Sequence, residues 1–71
     1  MVTYINEKGE WVLYETSVTL RGGKQAIVQA FFYKDVQGER VKNWRVANKV
    51  REGFEIYENE RTKMPFVRKK Q

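Results

Sequence analysis

The sequence predicts an α+β domain: a three-stranded antiparallel meander, one helix packed against it, and a C-terminal β-hairpin. Three observations predict it. Period-two alternation runs through residues 2–6, 11–20 and 25–34, with glycine-bearing turns between the runs. On a 3.6-residue wheel, residues 39–52 collect Trp44, Val46, Ala47 and Val50 on one arc. Alternation returns at residues 54–58, and Pro65 then opens a short Phe66-Val67 stretch suited to an edge strand. With 71 residues there is one small domain, read as 1–67, followed by a basic tail at 68–71.

Each element has a local cause. Val2-Thr3-Tyr4-Ile5-Asn6 is β-branched and aromatic, and Gly9 supplies the positive φ of a turn. Along the second run, Val12, Tyr14, Thr16, Val18 and Leu20 point one way, while Trp11, Leu13, Glu15, Ser17 and Thr19 point the other. A strand this long is expected to bend or bulge at Glu15-Thr16-Ser17. Arg21-Gly22-Gly23-Lys24 is a strong hairpin signal. In the third run Ala26, Val28, Ala30 and Phe32 oppose Ile27, Gln29, Phe31 and Tyr33, so both faces are apolar and a central strand is expected. The helix over 39–52 is the expected cover, ending at Gly53 with Lys49 and Arg51 in its last turn. Gln37-Gly38 leaves a further hairpin turn, and hence another strand, as the alternative.

Composition excludes several functions. Without cysteine there are no disulfides, thiolate zinc sites or thiol redox chemistry, and without histidine the usual general base and commonest metal ligand are missing. A nucleophile would need Ser17 or a threonine activated by lysine, and the glutamates mark no pocket. The expectation is a non-enzyme without cofactor or metal. No apolar run nears the roughly 20 residues of a membrane span, and no signal-peptide pattern opens the sequence, so no membrane partner and a cytoplasmic location are expected.

The net charge of +5 is unevenly placed: residues 1–35 sum to zero, and the entire excess falls in 36–71. That asymmetry points to a polyanion, DNA or RNA. Lys42, Arg45 and Lys49 fall on one side of the expected helix, where Asn43 and Asn48 are suited to a base edge. Arg61, Lys63, Arg68, Lys69 and Lys70 extend the stripe, and Arg21 and Lys24 flank a hairpin tip able to touch phosphate. Leu20-Arg21-Gly22-Gly23-Lys24 lacks the spacing of a phosphate-binding loop. Trp11, Phe31 and Tyr33 are placed either to stack bases on a free sheet face or to lie under the C-terminal hairpin in a two-sided core. The expected function is mainly electrostatic nucleic-acid binding through the helix face and the C-terminal hairpin. The alternative is a protein-interaction module or small homodimer.

Tyr4-Ile5-Asn6-x-x-Gly9, Val18-Thr19-Leu20-Arg21-Gly22-Gly23-Lys24 and Gly53-Phe54-Glu55-Ile56-Tyr57-Glu58-Asn59-Glu60-Arg61-Thr62 resemble a group of short prokaryotic, largely archaeal proteins of unassigned function. The resemblance covers most of the chain outside 35–52 and implies a compact β-rich domain. Lys63 stands where that group usually has a turn glycine, and Val50-Arg51-Glu52 replaces a common Leu-Pro-x segment. In plan, three antiparallel strands with a helix also look like integrase amino-terminal domains and plant-type AP2 domains, which lay their sheet in a DNA groove.

Overall fold

Gly9, Gly22 and Gly23 hold positive φ of 138°, 89° and 84°, and the chain reverses at each turn they occupy. In the computed structural model, which describes residues 1–70, these reversals join β1 (Thr3–Asn6), β2 (Gly9–Thr19) and β3 (Gln25–Tyr33). The β2–β3 turn is closed by Leu20 N–H to Lys24 C=O at 2.6 Å and Gly23 N–H to Leu20 C=O at 3.1 Å. Pairing runs without interruption from Trp11↔Tyr33 to Thr19↔Gln25, so the bulge expected at Glu15-Thr16-Ser17 does not form. The polar residues there fasten another segment instead: Thr16 Oγ1 donates to the Asn43 carbonyl at 2.7 Å.

The expected central strand is also corrected. β3 pairs only with β2, whereas β2 takes β3 on one edge and, on the other, β1 followed by the two-residue β4 (Arg45–Val46). The hairpin covers the Phe31 side of β3 and Trp44 packs on Phe32, while Val28 on the Phe32 face stays 40% exposed. Apolar residues on both faces thus make an edge strand read in sequence like a central one.

No α-helix forms among the described residues, so the α+β class gives way to an all-β fold of two antiparallel sheets. Residues 39–52 hold the end of one 3-10 turn (Gly38–Val41), then β4 and a crossing loop. The 3-10 turn starts at Gln37 without a side-chain cap. Its continuation carries Val41, Asn43, Val46, Asn48 and Val50, all weak helix formers, while β2 offers unpaired backbone beyond β1. The residues gathered on one helical arc are divided between the sheet faces. Trp44 packs edge-on against Phe32 on the outer face, and Ala47 enters the core with its N–H on the Leu13 carbonyl at 2.9 Å. The likeness to integrase and AP2 domains fails with the helix.

Gly53 (φ 85°) is a turn residue and not a helix cap: Phe54 N–H meets the Arg51 carbonyl at 3.0 Å, opening β5 (Phe54–Glu58). β5 pairs antiparallel with β6 (Pro65–Lys69). Arg68 and Lys69, assigned to a tail by sequence, are therefore strand residues, and Lys70 N–H bonds the Gly53 carbonyl at 2.9 Å. Gln71, the last residue of that tail, lies outside the described residues.

The hairpin closes over one face of the first sheet. Trp11 and Leu13, both 0% exposed, pack with Phe31 and Ala47, and Ile56 and Val67 of the hairpin seal them. Burying each large apolar side chain stabilises by about 1.5–3 kcal/mol. The crossing loop is pinned by one side chain: Gln29 Nε2 donates to the Lys49 carbonyl at 2.9 Å, and its Oε1 accepts Arg51 N–H at 3.0 Å. Arg51 Nη1 donates to the Ile27 carbonyl on the open edge of β3.

The β5–β6 turn is built on Asn59, whose Oδ1 accepts N–H bonds from Arg61 at 2.8 Å and Thr62 at 3.1 Å. Lys63 completes it at φ 62°, a left-handed conformation that a side chain disfavours. Lys63→Gly is expected to raise stability by about 0.5–1 kcal/mol, the relieved strain exceeding glycine's entropy cost. A thermal melt with a lower midpoint than the parent contradicts this account of the turn.

Candidate nucleic-acid interface

The ten basic positions singled out by sequence do not form one surface. Arg21 and Lys24 stand at the exposed β2–β3 tip. Lys42 and Arg45 lie at β4 on the opposite edge of β2 from β3, and Arg45 is bound to Glu15 through Nη2–Oε2 at 2.9 Å and Nε–Oε2 at 3.1 Å. Lys49 is in the crossing loop, Arg61 and Lys63 are in the β5–β6 turn, and Arg68, Lys69 and Lys70 end the hairpin at its other extremity. The stripe through Lys42, Arg45 and Lys49 required a helix and is lost with it.

The aromatic expectations divide. Trp11 is fully buried and Phe31 is 7% exposed, so neither offers a face to a base; they occupy the two-sided core left open by the sequence. Tyr33 is 45% exposed and stacks on Trp11 at 4.9 Å between ring centroids.

The hairpin carries an aromatic pair that sequence reasoning did not single out. The β5–β6 register puts Ile56 and Val67 toward the core, which turns Tyr57 and Phe66 outward as cross-strand partners. Their rings stack at 6.0 Å with 25° between planes, and the Arg68 guanidinium lies 3.7 Å from the centre of the Tyr57 ring. The Tyr57 hydroxyl donates to Glu55, engaging the acidic group on that face. The signal was in the sequence: alternation through Phe54-Glu55-Ile56-Tyr57 assigns Tyr57 to the face opposite Ile56 once the core side of the hairpin is known.

A second feature is a cleft of about 360 Å³ along the open edge of β3, beneath the 35–40 segment. Trp11, Phe31 and Tyr33 form its apolar wall, Asp35, Gln37 and Arg40 its polar rim, and Met64 adjoins it from the hairpin. The Trp11 indole N–H is buried with no acceptor among the protein's groups, a condition that costs about 1–3 kcal/mol. Asp35 and Arg40 share the cleft, yet neither makes an ion pair among the described residues.

The motif residues Tyr4, Asn6 and Glu58 converge on a third feature. Asn6 Nδ2 donates to Glu58 Oε1 at 2.6 Å and to the Lys63 carbonyl at 2.7 Å, and Tyr4 Oη donates to Glu58 Oε1 at 2.8 Å. The Asn6 amide and Tyr4 hydroxyl, with help from the Lys63 charge, hold the Glu58 carboxyl below its ordinary value against partial desolvation. The Tyr4 phenol is raised by the same bond, then by desolvation and the carboxylate charge. These donors join β1 to the hairpin, so this carboxylate fastens the two sheets together. Among the described residues, no three Asp or Glu side chains gather in a form that could hold a metal ion. Nor, among the described residues, is any helix long and apolar enough to cross a membrane.

In comparisons with known proteins, no family model, curated protein or solved structure matches the chain.

The fastening has a pH signature. With the folded Glu58 value depressed, its contribution is complete above the unfolded carboxylate value and disappears as pH falls through the folded one. Tyr4, raised, contributes fully below the unfolded phenol value and loses its share as pH rises through the folded one. Denaturant midpoints measured from neutral to acid pH should fall less steeply for Glu58→Gln than for the parent. Parallel acid limbs contradict this role for Glu58.

Proposed function

We propose that this protein binds single-stranded nucleic acid on the outer face of its C-terminal hairpin. The observation that carries the reading is the Tyr57–Phe66 stack with Arg68 on it: an outward aromatic platform beside a cation, on a chain of net charge +5. Unpaired bases present π-faces to such a platform, and sequence-tolerant stacking combines with phosphate attraction. Glu60 beside Arg61, Glu58 beside Lys63 and Glu55 across from Arg68 offset charge, and the register turns Lys69 to the other face, so Arg68 with Lys70 after it supplies the attraction on this side. A duplex suits the face poorly, since its bases are already stacked on one another. We further propose membership of the group of short prokaryotic proteins that the motifs resemble; its support is that Tyr4, Asn6, Glu58 and the Asn59 turn act together.

A specific observation favours a second reading, self-association. Ile5, Val18, Val28 and Val46 are all exposed on the outer face of the first sheet, Ile5 by 68%. Two copies of a positively charged chain repel least where they meet through uncharged surface. Under this reading the mass in solution is that of a dimer, and Val28→Lys returns it to the monomer; a monomer at all concentrations ends it.

Affinity for a short uridine oligonucleotide should fall linearly in log–log form with added salt. Tyr57→Ala and Phe66→Ala should each weaken it by about 1–3 kcal/mol, roughly the worth of one stacked base. Arg68→Ala should weaken binding and flatten the salt slope. Undiminished affinity in both aromatic variants, or no binding at low salt, overturns the reading.

A further inference from the structure

We propose that the cleft along the open edge of β3 is a pocket for a single guanine base. The inference takes its class of ligand from the nucleic-acid reading above; the chemistry of the pocket is its own. Tyr33, 45% exposed and backed by the buried Trp11 ring at 4.9 Å between centroids, gives the cleft one accessible ring on which a flat heterocycle can lie. The volume of about 360 Å³ is at the small end of ligand pockets and suits one base better than a dinucleotide.

The rim chooses among the bases. Asp35 brings a carboxylate with two acceptor oxygens, Arg40 a guanidinium with paired donors, and Gln37 an amide offering both. Neither Asp35 nor Arg40 is consumed by an ion pair among the described residues, although they share the cleft. Guanine presents two adjacent donors, N1–H and the N2 amino group, which a carboxylate accepts together, and its O6 and N7 form the edge that arginine reads bidentately. Adenine and cytosine each offer one amino donor beside ring acceptors, leaving a carboxylate oxygen facing an acceptor. Uracil has a single N–H between two carbonyls.

Met64 adjoins the cleft and Phe66 belongs to the outer platform, with only Pro65 between them in the chain. The cleft and the platform are thus neighbours along the chain, on different sides of the hairpin.

The test is a titration of the isotope-labelled protein with guanosine 5′-monophosphate, following the Trp11 indole N–H and Tyr33 ring resonances. Adenosine, cytidine and uridine monophosphates serve as controls, and uridine-oligonucleotide binding is measured in parallel. Guanosine monophosphate should move both resonances, and Asp35→Asn, a change on an exposed turn, should weaken it about tenfold or more. Binding of the uridine oligonucleotide should stay unchanged in that variant. Still resonances with oligonucleotide binding intact overturn the pocket alone. Equal response to all four monophosphates, or undiminished affinity in Asp35→Asn, overturns the guanine assignment. A guanosine response without oligonucleotide binding upholds the pocket and removes the hairpin reading.

Discussion

Among the described residues, Trp11 and Leu13 are the only large side chains withdrawn fully from solvent, and both belong to a strand whose backbone is claimed on two edges. β2 hydrogen-bonds β3 along its length and β1 and β4 in succession, while the hairpin sits on its Trp11–Leu13 face. A domain of this size has roughly 3–5 kcal/mol to spare, so most of its stability has to pass through this strand. The remaining features follow from it. β4 exists because β1 is too short to cover β2, and Ala47 reaches the core because β4 delivers it there. The crossing loop then lands on Gln29, which holds both its Lys49 carbonyl and its Arg51 amide.

The two meander turns were legible because glycine leaves few alternatives: Gly9 between β1 and β2, and Gly22 and Gly23 between β2 and β3, all hold positive φ. Strand alternation was legible for the same local reason. The helix was misread because Trp44, Val46, Ala47 and Val50 satisfy a helical arc, and a wheel cannot register a vacant strand edge far away in sequence. β3 was misplaced because apolar residues on both faces look alike wherever a strand lies in the sheet. Tyr57 and Phe66 were passed over because their direction depends on which side of the hairpin meets the core, a tertiary fact.

Charge was the least informative guide. A total of +5 is fixed by composition, yet its distribution depends on where chain reversals carry each lysine and arginine. Here they separate the β2–β3 tip, the β4 edge and the two ends of the hairpin. Arg45 and Glu15 meet across β4 and β2, an exposed contact that contributes about 0–1 kcal/mol at most. The features with chemical character, the Tyr57–Phe66 face and the β3 cleft, are defined by aromatic geometry, with a few cations beside each.

The two sheets share no ladder. Between them lie a greasy contact, the Gln29 clamp on the intervening loop, and the Tyr4–Asn6–Glu58 junction, whose members are 52 to 54 residues apart. The C-terminal hairpin is thus a plate docked on a scaffold through side chains, and its own two strands depend on that docking for stability. Ile56 and Val67 seal Trp11 while Tyr57 and Phe66 face away, so the same docking that closes the core decides which aromatic pair is left outside.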